Sequence, residues 1–317
     1  MKLEFFRTFA CVMKKLLWII AMICLVAGCG ESYEETKRIT RAQRLKAMRE
    51  DSAALKVAVL PTLDCLPIFL AKDHQLFDTA MDIRLKQFTA QMDIDTALAN
   101  HRVEVGVSDL VRIERLKKQG DSLRYLTSTN AYWQLVTNRG ARILELKNLD
   151  DKMLAMTRYS VTDMIGDLAV DSAKLKPERV FRIQVNDVHV RLKMLENNEM
   201  DALILTEPQA AVARKLKHKV LLDTRKLDMQ MGVIVSQWKG MDGEARAKQL
   251  RAFTRGYNKA CDSINQYGLA NYASLIEKYC HVKRDALAQI SKDLTFHRIA
   301  LPREEDVARA KAWLSKK

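Results

Sequence analysis

The segment RIQVNDVHVRLKMLENNEMDALILTEP, residues 182–208, decides the fold that we expect for this chain. Residues 182–185 form a β-rich run, residues 188–195 carry apolar side chains at helical spacing, and residues 201–205 form a second apolar run. Two buried strands joined by a helix predict a right-handed βαβ unit, in which ligands bind beyond the carboxyl ends of the strands. Those ends carry Asn186, Asp187, Thr206 and Glu207. The segment therefore predicts one half of a binding cleft.

A similar pattern lies nearer the N-terminus. Residues 56–60 form an apolar β run, and a helical run, a strand at 81–88 and a strand at 103–107 follow it. The polar residues after these strands are Thr62, Asp64, Thr89, Ser108 and Asp109. Because 317 residues exceed the usual size of one hydrophobic core, we expect two α/β modules, divided between about residues 135 and 150.

Further apolar runs complete the expected elements. Strand composition recurs at residues 123–127, 132–137, 152–156, 219–222 and 231–236, and a helix is expected at 161–174. From residue 243 onward the apolar spacing is helical, which predicts helices at 246–267, 271–279, 284–292 and 304–314. The expected class is therefore α/β, with a helical C-terminal region.

The first 28 residues are predicted to be a secretory signal rather than part of the fold. Two lysines precede a short apolar run that ends at Cys29, as in signal peptides. The motif Val26-Ala27-Gly28-Cys29 resembles the bacterial lipobox, which implies that Cys29 carries diacylglycerol and palmitate and becomes the mature N-terminus. The alternative is a plain transmembrane anchor, but a span needs about 20 apolar residues. Met13 is an alternative start to Met1.

Residues 29–53 are polar and charged, and we interpret them as a tether that has the option of being helical. The acidic start of this stretch leaves a sorting signal as the alternative. The formal charge of +14 falls to +11 once the signal is removed. Because the chain is exported and carries no nucleic-acid-binding motif, we expect no nucleic acid partner and interpret the scattered basic residues as a solvated surface that attracts anions.

The cysteines and histidines predict neither a metal site nor a cofactor. After removal of the signal, Cys65, Cys261 and Cys280 remain beside the predicted lipid site, with no CxxC spacing. A bridge between Cys261 and Cys280 is one option, and buried free thiols are the interpretation that we favour. The histidines are scattered, and His189 alone lies near the predicted cleft.

Four stretches together resemble the substrate-binding proteins of ABC importers. They are LKVAVLPTLDCLPIFLAKDHQLF (55–77), VEVGVSD (103–109), VNDVHVRLKMLENNEMDALILTEP (185–208) and LPREEDVARAKAWL (301–314). The most similar branch is the nitrate/sulfonate/taurine and thiamine-pyrimidine-precursor group, and the resemblance covers about residues 56–314. One departure is His74-Gln75 where the family usually has a glycine, so the local turn must differ.

The resemblance implies a type 2 periplasmic-binding-protein-like fold, in which two α/β lobes are joined by two crossing strands. The crossings would be residues 132–137 and 231–236. Lobe one would comprise residues 54–135 plus 232–317, and lobe two residues 136–231. The implied protein is a monomeric lipoprotein that faces the periplasm or cell exterior. Its implied partners are an ABC permease, the membrane through the lipid anchor, and a nitrate, sulfonate or pyrimidine-like solute.

The residues themselves predict the chemistry of the cleft. We expect ligand contacts from Thr62, Asp64, Thr89, Ser108, Asp109, Thr129, Trp133, Arg158, Tyr159, Ser160, Asn186, Asp187 and Glu207. Arg158 and Ser160 adjoin a predicted helix start and form the best anion-binding pair. Trp133 or Tyr159 would stack on a flat ligand. The carboxylates in the set favour a ligand that also has amine or ring-nitrogen donors.

Two other function classes remain beside transport. One is an enzyme on the same fold, such as a menaquinone-pathway chorismate dehydratase or a thiamine-pyrimidine synthase. The export signal opposes it, and the cysteine–histidine cluster of the pyrimidine synthases is missing from the sequence. No catalytic motif is recognisable, so we expect no catalytic residues. The other class is a sensor or adhesion lipoprotein that kept the fold and lost transport.

Overall fold

The computed structural model describes residues 33–237, 241 and 243–317. The predicted signal peptide, 1–28, and the predicted lipid site Cys29 lie outside the described residues. The chain divides into an N-terminal unit, Met1–Ala53, and a larger unit, Ala54–Lys317. In the N-terminal unit, helix α1 spans Tyr33–Ala53, and its side chains from residue 37 to residue 50 are exposed. The described helices include none with enough length and apolar character to span a bilayer.

The larger unit contains two five-stranded sheets. The first has the order β2-β1-β3-β10-β4. Its strands are β1 (Leu55–Val59), β2 (Ile83–Gln87), β3 (Val105–Asp109), β4 (Leu123–Ser128) and, numbered in chain order, β10 (Gly232–Gln237). Strand β1 pairs in parallel with β2 and β3, whereas β10 is antiparallel to both β3 and β4. All five residues of β1 are buried, which explains its continuous apolar run.

Six helices accompany this first sheet. They are α2 (Leu66–Asp73), α3 (Gln91–Ala99), α4 (Leu110–Lys118), α8 (Glu244–Tyr267), α9 (Ala273–Cys280) and α10 (Glu304–Leu314), with α5 to α7 in the second lobe. Phe77, just beyond α2, stacks on Phe253 of α8 with ring centroids 5.7 Å apart. Gly256 permits that approach, because a Cβ there would overlap the Phe77 ring. The predicted helix at 284–292 is a 3₁₀ segment, Arg284–Gln289, so that prediction was wrong in type.

The second sheet has the order β7-β6-β8-β5-β9. Its strands are β5 (Trp133–Thr137), β6 (Lys152–Met156), β7 (Val180–Gln184), β8 (Ala202–Thr206) and β9 (Lys219–Asp223). The helices of this lobe are α5 (Val161–Ser172), α6 (Val188–Glu196) and α7 (Gln209–Lys215). Strands β6, β7 and β8 run in parallel, and β5 is antiparallel to β8 and β9.

The expectation that both strands of the segment at 182–208 are buried was wrong for the first of them, β7. Strand β7 pairs only with β6 and is an edge strand, and Phe181 on it is 50% exposed. Strand β6 lies between β7 and β8, so the two strands that flank α6 are not neighbours. The reason is compositional, since Arg182 and Gln184 give β7 a polar face that a central strand would bury.

The two-lobed α/β fold is confirmed. Strand β5 lies wholly in the second sheet and β10 wholly in the first. The chain therefore passes to the second sheet between β4 and β5, and returns between β9 and β10. Both passages meet where the Thr129 amide donates to the Gly232 carbonyl at 2.8 Å. The boundaries given above for the lobes stay predictions.

The three cysteines of the larger unit, Cys65, Cys261 and Cys280, are free and buried. This finding agrees with the interpretation favoured from the sequence. Burial raises the pKa of the Cys280 thiol, and the nearby Asp64 carboxylate adds to the effect. Such a thiol stays protonated at neutral pH and acts as a small apolar side chain.

Candidate functional site

A cavity of about 60 Å³ lies where the strand ends of the two lobes face each other. Seven of the predicted ligand residues line it: Thr62, Asp64, Ser108, Asp109, Trp133, Ser160 and Asn186, together with Thr206 at the end of β8. Five lining residues were missed, namely Gln91, Thr157, Thr162, Arg191 and Gln209. Leu60, Val107, Ala131, Val161, Val188 and Leu205 supply the apolar part of the wall. The cavity thus combines polar strand ends with apolar walls, as small-molecule sites do.

On the first lobe, Asp64 is the most isolated charge of the cavity wall. It lies in the 3₁₀ turn Leu63–Cys65 after β1 and is 7% exposed. Its Oδ2 accepts a hydrogen bond from the Thr129 hydroxyl at 3.2 Å. Desolvation raises the pKa of Asp64, and hydrogen bonds from Thr62 and Thr129 only partly oppose this. No cation forms an ion pair with Asp64 among the described residues.

Asp109 connects the two lobes. One carboxylate oxygen accepts the Arg112 amide at 3.0 Å, which caps α4, and also the Val161 amide of the second lobe at 3.2 Å. Asp109 is 4% exposed. Desolvation raises its pKa to about 7, although the Arg112 charge acts in the opposite direction. Asp109 is therefore a hydrogen-bond acceptor that both lobes share.

On the second lobe, Arg191 brings a buried guanidinium to the cavity wall. It projects from α6, is 5% exposed, and donates to the Ile204 carbonyl at 2.7 Å, to the Val185 carbonyl at 2.6 Å and to Thr157 Oγ1 at 2.7 Å. Desolvation lowers the pKa of Arg191 to about 10, so the group stays charged at neutral pH. Within the part of the chain that the structure describes, Arg191 has no ion-pair partner. The sequence contained a signal for a buried Arg191, because this residue is three positions after Val188 on the apolar face of the helix.

Gln209, the first residue of α7, is completely buried at 0% exposure. Its Nε2 donates to the Pro61 carbonyl of the first lobe at 2.8 Å. Its Oε1 has no hydrogen-bond partner among the described residues. A buried acceptor without a donor is unusual, and Gln209 lines the cavity. An N–H or O–H group of a bound molecule would supply the missing donor to Gln209 Oε1.

The structure places six predicted ligand residues outside the cavity lining: Thr89, Thr129, Arg158, Tyr159, Asp187 and Glu207. Thr129 supports Asp64, as described above. The Thr89 carbonyl accepts the Val188 amide at 3.2 Å, and Ala90 and Asp187 form an isolated β-bridge between the lobes. Asp187 also caps α6 by accepting the amides of His189 and Val190 at 2.8 and 3.0 Å.

Glu207 belongs to a buried network behind the cavity. Its carboxylate accepts from the Tyr132 hydroxyl and from Arg214, each at 2.5 Å, and from the Ala211 amide at 3.0 Å. Its carbonyl accepts the Leu63 amide of the first lobe at 2.8 Å. Glu207 therefore fixes α7 and the strand end, and its charge is already paired.

The predicted anion-binding pair, Arg158 and Ser160, is not brought together. Ser160 caps α5 by accepting the Thr162 amide at 3.0 Å, and it lines the cavity. Arg158 is exposed, and its carbonyl accepts a hydrogen bond from Arg112 at 3.5 Å. Between the two, Tyr159 has φ of +53° and is 38% exposed, so the turn directs it outward. The Arg115 guanidinium lies 4.5 Å above its ring.

None of the described histidines lines the cavity. Among the residues that the structure covers, no three His, Cys, Asp or Glu side chains are grouped so as to hold a metal ion. His189 lies beside His281 of the first lobe, with ring centroids 5.5 Å apart. Desolvation lowers the pKa of His189, and the neighbouring Asp187 carboxylate partly opposes this.

Comparison with known proteins adds a family and a fold. A family model described as NMT1/THI5 like matches residues 62–267. Similar solved structures include a ligand-binding component of an ABC-type import system from Staphylococcus aureus, 16% identical, with a TM-score of 0.69 over 83% of this chain and 91% of that one. The alkanesulfonate-binding protein SsuA from Xanthomonas axonopodis pv. citri is 14% identical, with a TM-score of 0.68 over the same shares.

The periplasmic nitrate-binding protein NrtA from Synechocystis is 13% identical, with a TM-score of 0.64 over 74% of this chain and 68% of that one. At these identities the likeness establishes the fold alone, which is that of the periplasmic binding proteins. No curated protein sequence matches the chain.

Proposed function

The chain belongs to the NMT1/THI5-like family, and from this premise we propose that it is an extracytoplasmic solute-binding protein. It captures one small polar solute between its two lobes and delivers it, chemically unchanged, to the permease of an ABC importer. The observation that carries this proposal is the cavity between the strand ends, whose wall combines buried polar side chains from both lobes.

Direct hydrogen bonds between the lobes support the capture step. The Leu63 amide donates to the Glu207 carbonyl at 2.8 Å, and the Val161 amide donates to Asp109 at 3.2 Å. Gln209 donates to the Pro61 carbonyl at 2.8 Å. All three contacts adjoin the cavity, so opening the lobes to admit a solute would break them. Hinged closure around a ligand is the motion that this arrangement favours.

The same proposal includes a lipid anchor. The motif Val26-Ala27-Gly28-Cys29 supports lipidation of Cys29. Helix α1, with 21 residues, would provide a spacer of roughly 30 Å at 1.5 Å per residue. Its exposed polar surface suits a tether in solvent. In this proposal the protein stays on the outer side of the membrane as a monomer, close to its permease.

Two related proteins are named for alkanesulfonate and nitrate. For this chain, the likeness in fold leaves nitrate, sulfonate and pyrimidine-like solutes all as candidates. The decisive experiment is mass spectrometry of small molecules released from the purified full-length protein by denaturation. Calorimetry with the released compound, and X-ray scattering with and without it, would then measure affinity and lobe closure.

The proposal predicts one co-purified solute that binds reversibly and shrinks the radius of gyration. Conversion of the solute into a product would refute it in favour of an enzyme. Binding without any uptake defect in a deletion strain that lacks the gene would favour a sensor.

A further inference from the structure

A buried carboxyl group and a buried guanidinium line the same small cavity from opposite lobes. Asp64, from the first lobe, is 7% exposed, and Arg191, from the second, is 5% exposed. The ion pairs of the described residues join neither of them to each other or to a third side chain. An ion without a counter-charge is strongly unfavourable in a buried position. Each of these two groups therefore lacks an oppositely charged partner among the described residues.

The hydrogen bonds of Arg191 are all to neutral groups, and the Asp187 carboxylate acts on its charge without forming an ion pair. Its partners are the carbonyls of Val185 and Ile204 and the hydroxyl of Thr157, all of them neutral groups. A guanidinium has five N–H groups, and these contacts leave at least one N–H on Nη1 for a further acceptor. An oxyanion in the cavity would supply both the acceptor and the counter-charge.

Asp64 and Gln209 require the opposite chemistry. The Asp64 carboxylate accepts from hydroxyl and backbone donors, and none of these carries a positive charge. Gln209 is 0% exposed, and its Oε1 accepts no hydrogen bond from the residues that the structure describes. Because Gln209 Nε2 is fixed on the Pro61 carbonyl, the amide cannot turn to present its N–H groups instead. Asp64 therefore lacks a positive partner, and Gln209 Oε1 lacks a donor, among the described residues.

Resting on the proposed function, we infer that the cavity selects a small amphoteric solute. The solute presents an ammonium or amidinium group to Asp64 and Gln209, and an oxyanion to Arg191. A cavity of 60 Å³ has room for roughly four to six water-sized groups, which fits a compact molecule with its two charges a few bonds apart. A simple anion such as nitrate would satisfy Arg191 but would leave Asp64 without a counter-charge and Gln209 Oε1 without a donor.

The test compares pairs of solutes that differ only in the ammonium group. The full-length protein in detergent is stripped of co-purified solute by dialysis in denaturant and refolded. Calorimetry is then performed with 3-aminopropanoate against propanoate, with 2-aminoethanesulfonate against ethanesulfonate, and with nitrate. We expect at least one amino compound to bind at least tenfold tighter than its matched acid and than nitrate, and to shrink the radius of gyration.

The matched variants are Asp64→Asn and Asp187→Asn. The first removes the unpaired carboxylate of the cavity, and the second neutralises a carboxylate that lies near the cleft but outside the cavity lining. Asp64→Asn should reduce the affinity for the amino compound at least tenfold and leave that for its matched acid within threefold. Asp187→Asn should change the ratio of the two affinities less than threefold. Equal loss of that ratio in both variants would overturn the inference, because general electrostatics would then explain it.

The wild-type panel tests the inference even if a variant fails to fold. Equal or tighter binding of a matched acid or nitrate, with lobe closure, overturns the amphoteric selection and leaves solute capture intact. Failure of all five compounds to bind also overturns the inference as stated. Solute capture itself is judged separately by the mass spectrum of the released compound, so the two failures are distinguishable.

Discussion

Replacement of Asp187 by alanine tests whether this carboxylate stabilises the fold or binds the solute. In the structure it caps α6 by accepting the His189 amide at 2.8 Å and the Val190 amide at 3.0 Å. Loss of such a cap costs about 1 kcal/mol. The Thr89 side chain of the first lobe also lowers the pKa of this carboxylate, and we expect that interaction to add about 1 kcal/mol. We therefore expect Asp187→Ala to lower the free energy of unfolding by about 2 kcal/mol.

Urea unfolding of the solute-free protein, followed by circular dichroism, measures this change directly. For a folded unit of this size, about 2 kcal/mol corresponds to a fall in Tm of roughly 3–4 °C. Asp187→Asn is the matched control, because asparagine is an equally good cap and should retain most of the stability. Thr89→Val removes the hydroxyl between the lobes and leaves the cap, so it should cost about half as much.

The pH dependence provides an independent check. Desolvation raises the pKa of Asp187, but the hydrogen bonds from Thr89, Val190 and His189 outweigh it and hold the pKa below the ordinary 3.8. Because the folded pKa is depressed, the contribution of Asp187 is fully present above pH 3.8 and is lost as the pH falls through the folded pKa. If Asp187→Ala instead left unfolding unchanged and weakened solute binding by 2–5 kcal/mol, Asp187 would be a ligand residue and our assignment would be refuted.

Three further predictions concern a buried acid, the anchor and the passage between the lobes. Burial raises the pKa of Asp109 to about 7. As the pH rises from 3.8 to 7, the unfolded chain releases a proton that the folded protein retains, so the wild type should lose roughly 2–4 kcal/mol of stability. Urea unfolding across that range should show no such loss in Asp109→Asn. Cys29→Ala should release the protein from the membrane fraction, and unchanged fractionation would contradict lipidation. A Cβ at Gly232 would overlap Thr129 and lie 2.7 Å from the Cβ of Ala131. Gly232→Ala should therefore cost about 1–3 kcal/mol of stability, and it should weaken solute binding by displacing Thr129 from Asp64. Calorimetry that shows an unchanged affinity would contradict this link.

The sequence predicted the fold well where the hydrophobic period was unambiguous. Strand β6 at Lys152–Met156 and helix α10 at Glu304–Leu314 coincide with their predicted bounds, because buried apolar runs and helical spacing are local properties. The position of β7 at the edge of its sheet was missed, since strand order is set by packing between segments that are distant in sequence.

The candidate site was partly predictable for a similar reason. Ser108 lies near the end of β3 and Asn186 follows β7, and parallel topology brings such strand ends to a cleft. Gln209 escaped because it lies in the helix that follows β8 and its contact with Pro61 depends on the packing of the two lobes. Arg191 did leave a signal on the apolar face of α6, as described above. The left-handed backbone conformation of Tyr159 was not evident from the sequence, and its stacking on a flat ligand stays a prediction.

The placement of β10 between β3 and β4 has a consequence for the order of folding. Val233 of β10 pairs with Ser108 of β3, more than a hundred residues earlier in the chain. An inner strand of the first sheet is therefore the last of its strands to be synthesised, and closing so long a loop is slow. The second sheet uses one continuous stretch, from β5 to β9, and is free to form first. Once formed, it would bring Thr129 and Gly232 together and shorten the effective loop, so the second lobe would act as the template on which the first is completed.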